Sequence, residues 1–220
     1  MNTNPKTKRI LAFGDSNTWG RIPGDDNNAR YPVNIRWTGI LQELLGNNYE
    51  IIEEGLNGRT TNLDSPQKAG KNGKTYLLSC LESQKPIDLI IISLGTNDLK
   101  AKYSATPESI GKGLEECIEE IKIEGKNDQG KTPKVIIMSP AIIVEKERER
   151  FGKFEIDFLG ANLKSKMLGE IYKNIAEIND FNFINLSKIV TASDIDGIHF
   201  DEDQHRKIAN VLFKKIKSLI

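Results

Sequence analysis

Five short apolar runs that alternate with helix-like segments constrain the fold of this chain more than any other feature. The runs cover residues 10–13, 49–52, 89–94, 135–138 and 183–186. Between and after them, apolar residues recur at helical spacing over residues 35–45, 74–83, 107–124, 160–179 and 201–220. Alternating strands and helices predict an α/β fold, in which a parallel sheet is covered by helices on both faces.

The predicted strand order indicates where a ligand site should lie. A parallel sheet of this kind favours the flavodoxin-like order 2-1-3-4-5, in which the winding direction changes between the first and third strands. Ser16 follows the first apolar run and Asn97 follows the third. Because open α/β sheets bind ligands at the carboxyl ends of their strands at this switch point, we expect both side chains at one site.

The composition is typical of one globular domain. A chain of 220 residues with 38% apolar and 28% charged residues suits a single α/β domain, predicted to span residues 1–220. The 31 basic and 31 acidic residues cancel, which argues against nucleic acid or a membrane surface as a partner. Near-zero net charge also slightly favours self-association into a homo-oligomer.

Targeting and metal-binding signals are not found in the sequence. No apolar run is long enough to span a membrane, and the polar first nine residues lack the apolar core of a secretory signal peptide. Cys80 and Cys117 lie in separate helical segments and are interpreted as reduced thiols. We therefore expect a cytoplasmic protein. Two histidines and two scattered cysteines form no metal-ligand pattern, so no metal and no cofactor is expected.

Three polar motifs stand out against this background. Gly-Asp-Ser at residues 14–16 follows the first run, Gly-Thr-Asn-Asp at 95–98 follows the third, and Asp-Gly-Ile-His at 196–199 lies near the end of the chain. A serine at such a turn is either a helix N-cap or a nucleophile. Thr18 stands where the nucleophile elbow of the α/β-hydrolases requires glycine, which argues against that family.

In this order the motifs resemble the SGNH hydrolases, also called the GDSL esterase/lipase family. That family combines Ser in Gly-Asp-Ser, a glycine in a second block, Asn in Gly-x-Asn-Asp, and a closing Asp-x-x-His. Gly58 is the stronger match for the glycine and Gly55 the weaker. The resemblance covers about residues 9–219, and within the family the chain looks like the arylesterase/acyltransferase-like branch. The segments that carry this likeness are 14–20, 36–39, 53–62, 94–100 and 196–200.

The resemblance implies a three-layer SGNH-hydrolase fold and a serine esterase that acts on a small-molecule ester. Ser16 would attack the ester carbonyl, and water or an alcohol acceptor would resolve the acyl-enzyme. The resemblance also implies an oxyanion hole made of the backbone N–H groups of Ser16 and Gly58 and the side-chain amide of Asn97.

The spacing of the closing motif indicates which residues complete a Ser-His-Asp triad. Asp196 precedes His199 by three residues across a glycine-containing turn, so its carboxylate can reach Nδ1. Asp194 competes for this role, but from five residues away it needs a wider loop. His205, the other histidine, is interpreted as a surface or capping residue.

Residues beside the motifs have weaker assignments. Trp19 is expected either to wall an acyl pocket or to pack in the ordinary way. Arg59 is expected to bind a polar group of the substrate or to pair with Glu53 or Glu54. Asp98 is expected to brace the loop that follows the third run.

Two other functions are compatible with the sequence. A carbohydrate O-acetyl esterase would use the same machinery on an acetyl group with a sugar as the leaving group. A non-catalytic flavodoxin-like nucleotide- or flavin-binding protein would share the sheet, but the turn after the first run has too few glycines to cradle a phosphate. The charged segment 140–158 is interpreted as a solvated loop or helix face, with an arm over the active site or a subunit contact as the alternative.

Overall fold

The computed structural model describes residues 3–25, 27–127, 129–145 and 157–220, which form an α/β sandwich around a parallel sheet. The strands are β1 (Lys8–Gly14), β2 (Tyr49–Gly55), β3 (Leu89–Ser93), β4 (Lys134–Ser139) and β5 (Asn182–Asn185). Their order is β2-β1-β3-β4-β5, and every neighbouring pair is parallel. The predicted strand order is therefore confirmed.

The helices follow the predicted alternation with small differences at their ends. They are α1 (Ser16–Trp19), α2 (Trp37–Leu45), α3 (Gly73–Gln84), α4 (Pro107–Glu124), α5 (Ala161–Ile178) and α6 (Glu202–Lys217). Short 3₁₀ turns cover Asn97–Leu99, Ala101–Tyr103 and Leu186–Lys188.

Local hydrogen bonds set where helices begin. The start of α4 is fixed by a capping box, in which the side chains of Thr106 and Ser109 each accept the other's backbone N–H. Helix α2 begins at Trp37, later than residue 35, because the N–H groups of the two preceding residues donate to the carbonyl of Pro32 in a turn. A turn of this kind leaves no mark on the apolar periodicity.

The strands are apolar throughout because both faces of the sheet are covered. Side chains along a strand point to alternate faces. Leu11 and Phe13 of β1 pack with α3, α4 and α5, whereas Ile10 and Ala12 pack with α2 and α6. All of these β1 side chains are fully buried. The carboxyl ends of the strands are therefore the part of the sheet free to build a site.

Two expectations concern regions outside the sheet. None of the helices within the described ranges is long and apolar enough to cross a membrane. The charged segment 140–158, interpreted as a loop, an arm or a subunit contact, falls largely on residues 146–156, which lie outside the described residues.

Candidate active site

The turn between β1 and α1 presents Ser16. Asp15 is the N-cap of α1, and its carboxylate accepts the backbone N–H of Asn17 at 2.9 Å. Ser16 is therefore the first residue of the helix, and its hydroxyl is not the cap. A Cβ atom on Gly14 would lie 2.0 Å from Oγ1 of Thr18, so this sharp strand-to-helix turn requires glycine.

A hydroxyl, an imidazole and a carboxylate lie in one hydrogen-bonded chain at this turn. Nε2 of His199 is 3.0 Å from Oγ of Ser16, and Nδ1 of His199 is 2.7 Å from Oδ2 of Asp196. Because a carboxylate only accepts hydrogen bonds, Nδ1 carries the proton and Nε2 accepts the serine O–H. Such an arrangement can remove a proton from a hydroxyl.

The loop that carries His199 is closed by its own backbone. The N–H of Ser193 donates to the carbonyl of His199 at 2.8 Å, and the N–H of Gly197 donates to the carbonyl of Ser193 at 2.8 Å. Gly197 has a φ of 70°, and a Cβ atom there would lie 2.0 Å from the carbonyl oxygen of Val144. The turn therefore needs glycine, and it brings Asp196, rather than Asp194, against the imidazole.

The Asp196 carboxylate is held in its charged form. Burial raises its pKa, but the hydrogen bond and charge of His199 and the backbone N–H groups of Ile198 and His199 lower the pKa more, to about 2. The N–H of Gly24 adds a further hydrogen bond at 3.1 Å. The carboxylate therefore presents a full negative charge to the Nδ1 side of the ring.

Gly58 and Asn97 lie beside Ser16. Both line the same cavity as Ser16 and His199. Asn97 opens the 3₁₀ turn after β3, and one N–H of its side-chain amide donates to the carbonyl of Arg59 at 3.0 Å. This bond orients the amide, whose second N–H can serve another acceptor. Gly58 has a φ of 79°, which favours glycine.

Gly55, the weaker match for the glycine block, has a structural position. It is the last residue of β2, and a Cβ atom on it would lie 2.2 Å from the backbone nitrogen of Trp19. Glycine is therefore required there so that α1 can approach the sheet, and Gly55 is not among the described residues that line the cavity.

Asp98 ties the Asn97 turn to the loop that contains Gly58. Its buried carboxylate accepts the backbone N–H of Thr61 at 3.0 Å and the Thr61 hydroxyl at 2.5 Å. Burial raises the pKa of Asp98 to about 6 although these hydrogen bonds act in the opposite direction. This contact is the bracing role expected from the sequence.

The cavity has a volume of about 220 Å³ and opens at the carboxyl ends of β1 and β3. Sequence reasoning found four of the residues that line it, Ser16, Gly58, Asn97 and His199. It missed the other described residues of the lining, which are Arg21, Asn57, Lys68, Lys71, Lys100, Phe158 and Ile198. Asn57, Lys100 and Ile198 lie within segments that carry the family likeness, but at positions that the motifs do not specify. The other four residues come from loops without a motif or periodicity.

The structure corrects the substrate-binding expectation for Arg59. Its guanidinium is 2% exposed and lies over the rings of Phe13 at 4.2 Å and Tyr76 at 4.9 Å. Nη1 donates to the carbonyls of Gly14, at 3.0 Å, and of Glu54. The guanidinium therefore joins the ends of β1 and β2 behind the site, and Arg59 is not among the described residues of the cavity lining.

Trp19 also lies away from the described lining of the cavity, so of its two expected roles the structure favours ordinary packing over a wall of the acyl pocket. The Arg30 guanidinium lies 5.1 Å from the centre of the indole ring, and Nε of Arg30 donates to the Trp19 carbonyl at 2.6 Å. Because α1 turns once after Ser16, Trp19 at its last position faces the loop of Arg30 rather than the described lining of the cavity.

His205 is neither exposed nor a cap. It is fully buried in α6, and its Nδ1 accepts the backbone N–H of Trp37 at 3.4 Å. The rings of Tyr31 and Phe200 meet it edge-on. The interpretation as a surface or capping residue is therefore wrong, because the buried face of α6 includes this position.

The cysteines and possible metal ligands lie outside this chemistry. Cys80 and Cys117 are buried free thiols on α3 and α4, and burial raises the pKa of each to about 12, which suppresses nucleophilic thiolate. Within the ranges that the structure describes, no group of three or more His, Cys, Asp or Glu residues could hold a metal ion.

Known proteins share the whole architecture. An aryl esterase from M. smegmatis is 36% identical, with 97% of this chain and 100% of the other aligned at a TM-score of 0.90. A carbohydrate acetylesterase from Sinorhizobium meliloti is also 36% identical, covers 97% and 100% of the two chains and has a TM-score of 0.89. A member of the carbohydrate acetylesterase family from the same organism is 30% identical, covers 97% and 99%, and has a TM-score of 0.88.

A search among functionally curated proteins finds no significant match. The family model of the GDSL-like lipases and acylhydrolases matches residues 12–207. This match contradicts the alternative of a non-catalytic nucleotide- or flavin-binding protein and confirms the SGNH-hydrolase fold. The chain therefore belongs to the GDSL-like lipase/acylhydrolase family and is an esterase.

Proposed function

We propose that this esterase works through a Ser-His-Asp triad, in which Ser16 is the nucleophile and His199 the general base. Asp196 orients the imidazole and stabilises the imidazolium that forms during the reaction. The observation that carries the proposal is the unbroken chain from the Ser16 hydroxyl through both ring nitrogens to the carboxylate. Ser16 and His199 are each 4% exposed, so the proton moves between groups that are shielded from bulk water.

The reaction follows from these contacts. Nε2 of His199 accepts the proton as Oγ of Ser16 bonds to the ester carbonyl carbon, and the Asp196 carboxylate stabilises the imidazolium. The tetrahedral intermediate collapses, the alcohol leaves with the proton from Nε2, and an acyl-serine remains. Water then loses a proton to Nε2 as its oxygen bonds to the acyl carbon. The bond from that carbon to Oγ breaks, the carboxylic acid leaves, and Nε2 returns the proton to Oγ of Ser16. An alcohol in the place of water gives acyl transfer instead.

The negative charge of the intermediate needs donors on the other side of the carbonyl. The backbone N–H groups of Ser16 and Gly58 and the free N–H of the Asn97 amide are our candidates, because all three residues line the cavity. The bond from the Asn97 amide to the carbonyl of Arg59 holds the amide in place before the charge develops. Such prior orientation is the main source of oxyanion stabilisation.

A covalent probe tests the nucleophile. A fluorophosphonate should label the wild type at Ser16, found by peptide mapping, and Ser16→Ala should lose both the label and p-nitrophenyl acetate hydrolysis. Ser139→Ala is the matched control, since Ser139 is a fully buried serine at the end of β4 and should leave both signals intact. Labelling that persists in Ser16→Ala would remove the assignment.

Carbohydrate O-acetyl ester hydrolysis is the second candidate. It is supported by the likeness to the Sinorhizobium meliloti acetylesterases and by the cavity of about 220 Å³, which suits a short acyl group. Acetate release from an acetylated xylo-oligosaccharide should then exceed acetate release from phenyl acetate in kcat/KM. A higher value on phenyl acetate would favour an aryl ester substrate.

A further inference from the structure

The cavity beside Ser16 is strongly cationic. Four basic side chains line it, Arg21, Lys68, Lys71 and Lys100, and no Asp or Glu is found among its described lining residues. The whole chain has 31 basic and 31 acidic residues, so this local excess of positive charge is not a consequence of composition. A concave site lined by one sign of charge concentrates ligands of the opposite sign.

Contacts hold three of these cations at the cavity. Nζ of Lys71 donates to the carbonyl of Asn57 at 2.6 Å, and its stem runs past Gly58. Nζ of Lys100 lies 5.4 Å from the centre of the Phe158 ring. Nη2 of Arg21 donates to the carbonyl of Asp25 at 2.9 Å, and Arg21 is only 7% exposed. These three side chains are therefore held in place at the cavity that Ser16 and His199 also line.

The cations also act on one another. Burial lowers the pKa of Lys71, and the charge of Lys68 lowers it further. Burial lowers the pKa of Lys100; the carboxylates of Asp157 and Asp15 act against this, whereas the charges of Lys102 and Arg21 lower the pKa further. Like charges held together disfavour their own ionised forms. A bound anion would relieve this repulsion, whereas a neutral ligand would not.

On the basis of the proposed esterase function, we propose that this enzyme acts on esters that carry a carboxylate, which the Arg21–Lys68–Lys71–Lys100 side of the cavity binds. A cavity of about 220 Å³ has room for a short ester with such a group and little more. The carboxylate can belong to the acid part, as in a half-ester of a dicarboxylic acid, or to the alcohol part, as in an acylated hydroxy acid.

Two pairs of isosteric esters separate these sources. The pair 4-acetoxybenzoate and 4-acetoxybenzamide differs only in a charge on the alcohol part. Phenyl hydrogen adipate and its primary amide differ only in a charge on the acid part. In at least one pair, we expect the carboxylate to have a kcat/KM about tenfold or more above the amide. We also expect this preference to decrease with added salt, as charge screening requires.

Lysine variants assign the preference to the cavity. Lys68→Glu should lower the ratio of carboxylate to amide kcat/KM by about tenfold or more, because it replaces a positive charge at the cavity with a negative one. The side chain of Lys68 is exposed, so the variant should fold normally. Lys71→Gln should lower the ratio in the same direction. Lys134→Glu is the matched control. Lys134 is exposed at the start of β4, at the end of the sheet opposite to the cavity, and the variant should leave the ratio unchanged.

The outcomes separate this inference from the proposed function. Equal rates within both pairs, or faster amides, would overturn the carboxylate specificity while p-nitrophenyl acetate hydrolysis by Ser16 still stands. A carboxylate preference that survives Lys68→Glu and Lys71→Gln would overturn the role of the cationic side. If the wild type hydrolyses none of these esters and Ser16 is not labelled, the proposed function itself is overturned, and this inference with it.

Discussion

The loop 193–199 and helix α6 each contribute one of the chain's two histidines, and their surroundings are opposite. His199 has a carboxylate on one ring nitrogen, a hydroxyl on the other, and a place in the lining of the cavity. His205, six residues later, is fully buried with the rings of Tyr31 and Phe200 against it.

The charged groups around the two imidazole rings also differ. Burial, together with the charges of Arg36 and His199, lowers the pKa of His205 to about 4, so its imidazole is neutral at pH 7. The imidazole of His199 instead contacts Asp196, whose pKa is lowered to about 2 and which stays negative. A carboxylate partner and a place in the cavity lining suit the imidazole of His199 to the acid–base role that we propose for it.

Replacement of the two histidines should have very different effects on kcat. His199→Gln should lower kcat for p-nitrophenyl acetate by about 10⁶-fold, because the serine then has no base. His205→Gln is the matched control and should leave kcat near the wild-type value, since this ring has no contact with Ser16. Steady-state kinetics on both variants measure this difference. A large loss of kcat in His205→Gln would contradict the assignment of His199 as the base.

The carboxylate partner should have the next largest effect. Asp196→Asn should lower kcat by about 10⁴-fold, because an amide favours the wrong tautomer of His199 and cannot stabilise the imidazolium. Asp194→Asn, the control from the same loop, should have little effect on kcat. If Asp194→Asn proved the more damaging change, the pairing seen at 2.7 Å would not be the one used in catalysis.

Local spacing explains what the sequence could predict of these two regions. The Asp196–His199 contact depends on three residues and one glycine turn, all visible in the motif. The burial of His205 was missed although the signal was present, because His205, Ile208, Leu212 and Ile216 fall on one face of α6. A search for apolar periodicity counts the aliphatic residues of that face and passes over the imidazole.

Contacts between distant segments could not be predicted. The partners of Arg59 lie on β1 and on α3, and only the folded sheet brings their rings together around the guanidinium. The cationic lining has the same origin, since Arg21, Lys68 and Lys100 come from three separate loops. The strand order, in contrast, follows from the alternation of strands and helices, which each segment displays by itself.

Loss of one oxyanion donor should lower kcat less than loss of the Asp196 carboxylate. It also tests whether the residues around His199 act together in catalysis. Asn97→Ala should lower kcat by about 10²–10³-fold, the usual loss for one such donor, with little change in KM. Asn182→Ala, at the start of β5, is the control for loss of an amide elsewhere in the sheet. An unchanged kcat in Asn97→Ala would make Asn97 a turn residue only.

The last prediction concerns the stability of the folded protein and the burial of His205. Its pKa is about 4 in the folded protein against a usual value of 6.5, so between these values the unfolded chain binds more protons. The contribution of His205 to the free energy of unfolding therefore rises with pH across this window, and that contribution is lost as pH falls from about 6.5 to about 4. The full difference corresponds to about 3 kcal/mol.

Urea unfolding at a series of pH values from about 7.5 down to about 4 measures this contribution. In His205→Gln the contribution of the imidazole is absent, so the variant should lose less stability than the wild type as pH falls, and the two curves should converge. Parallel curves for the wild type and His205→Gln would mean that His205 is solvated or paired with an anion in solution, and the contrast between the two histidines would then rest on catalysis alone.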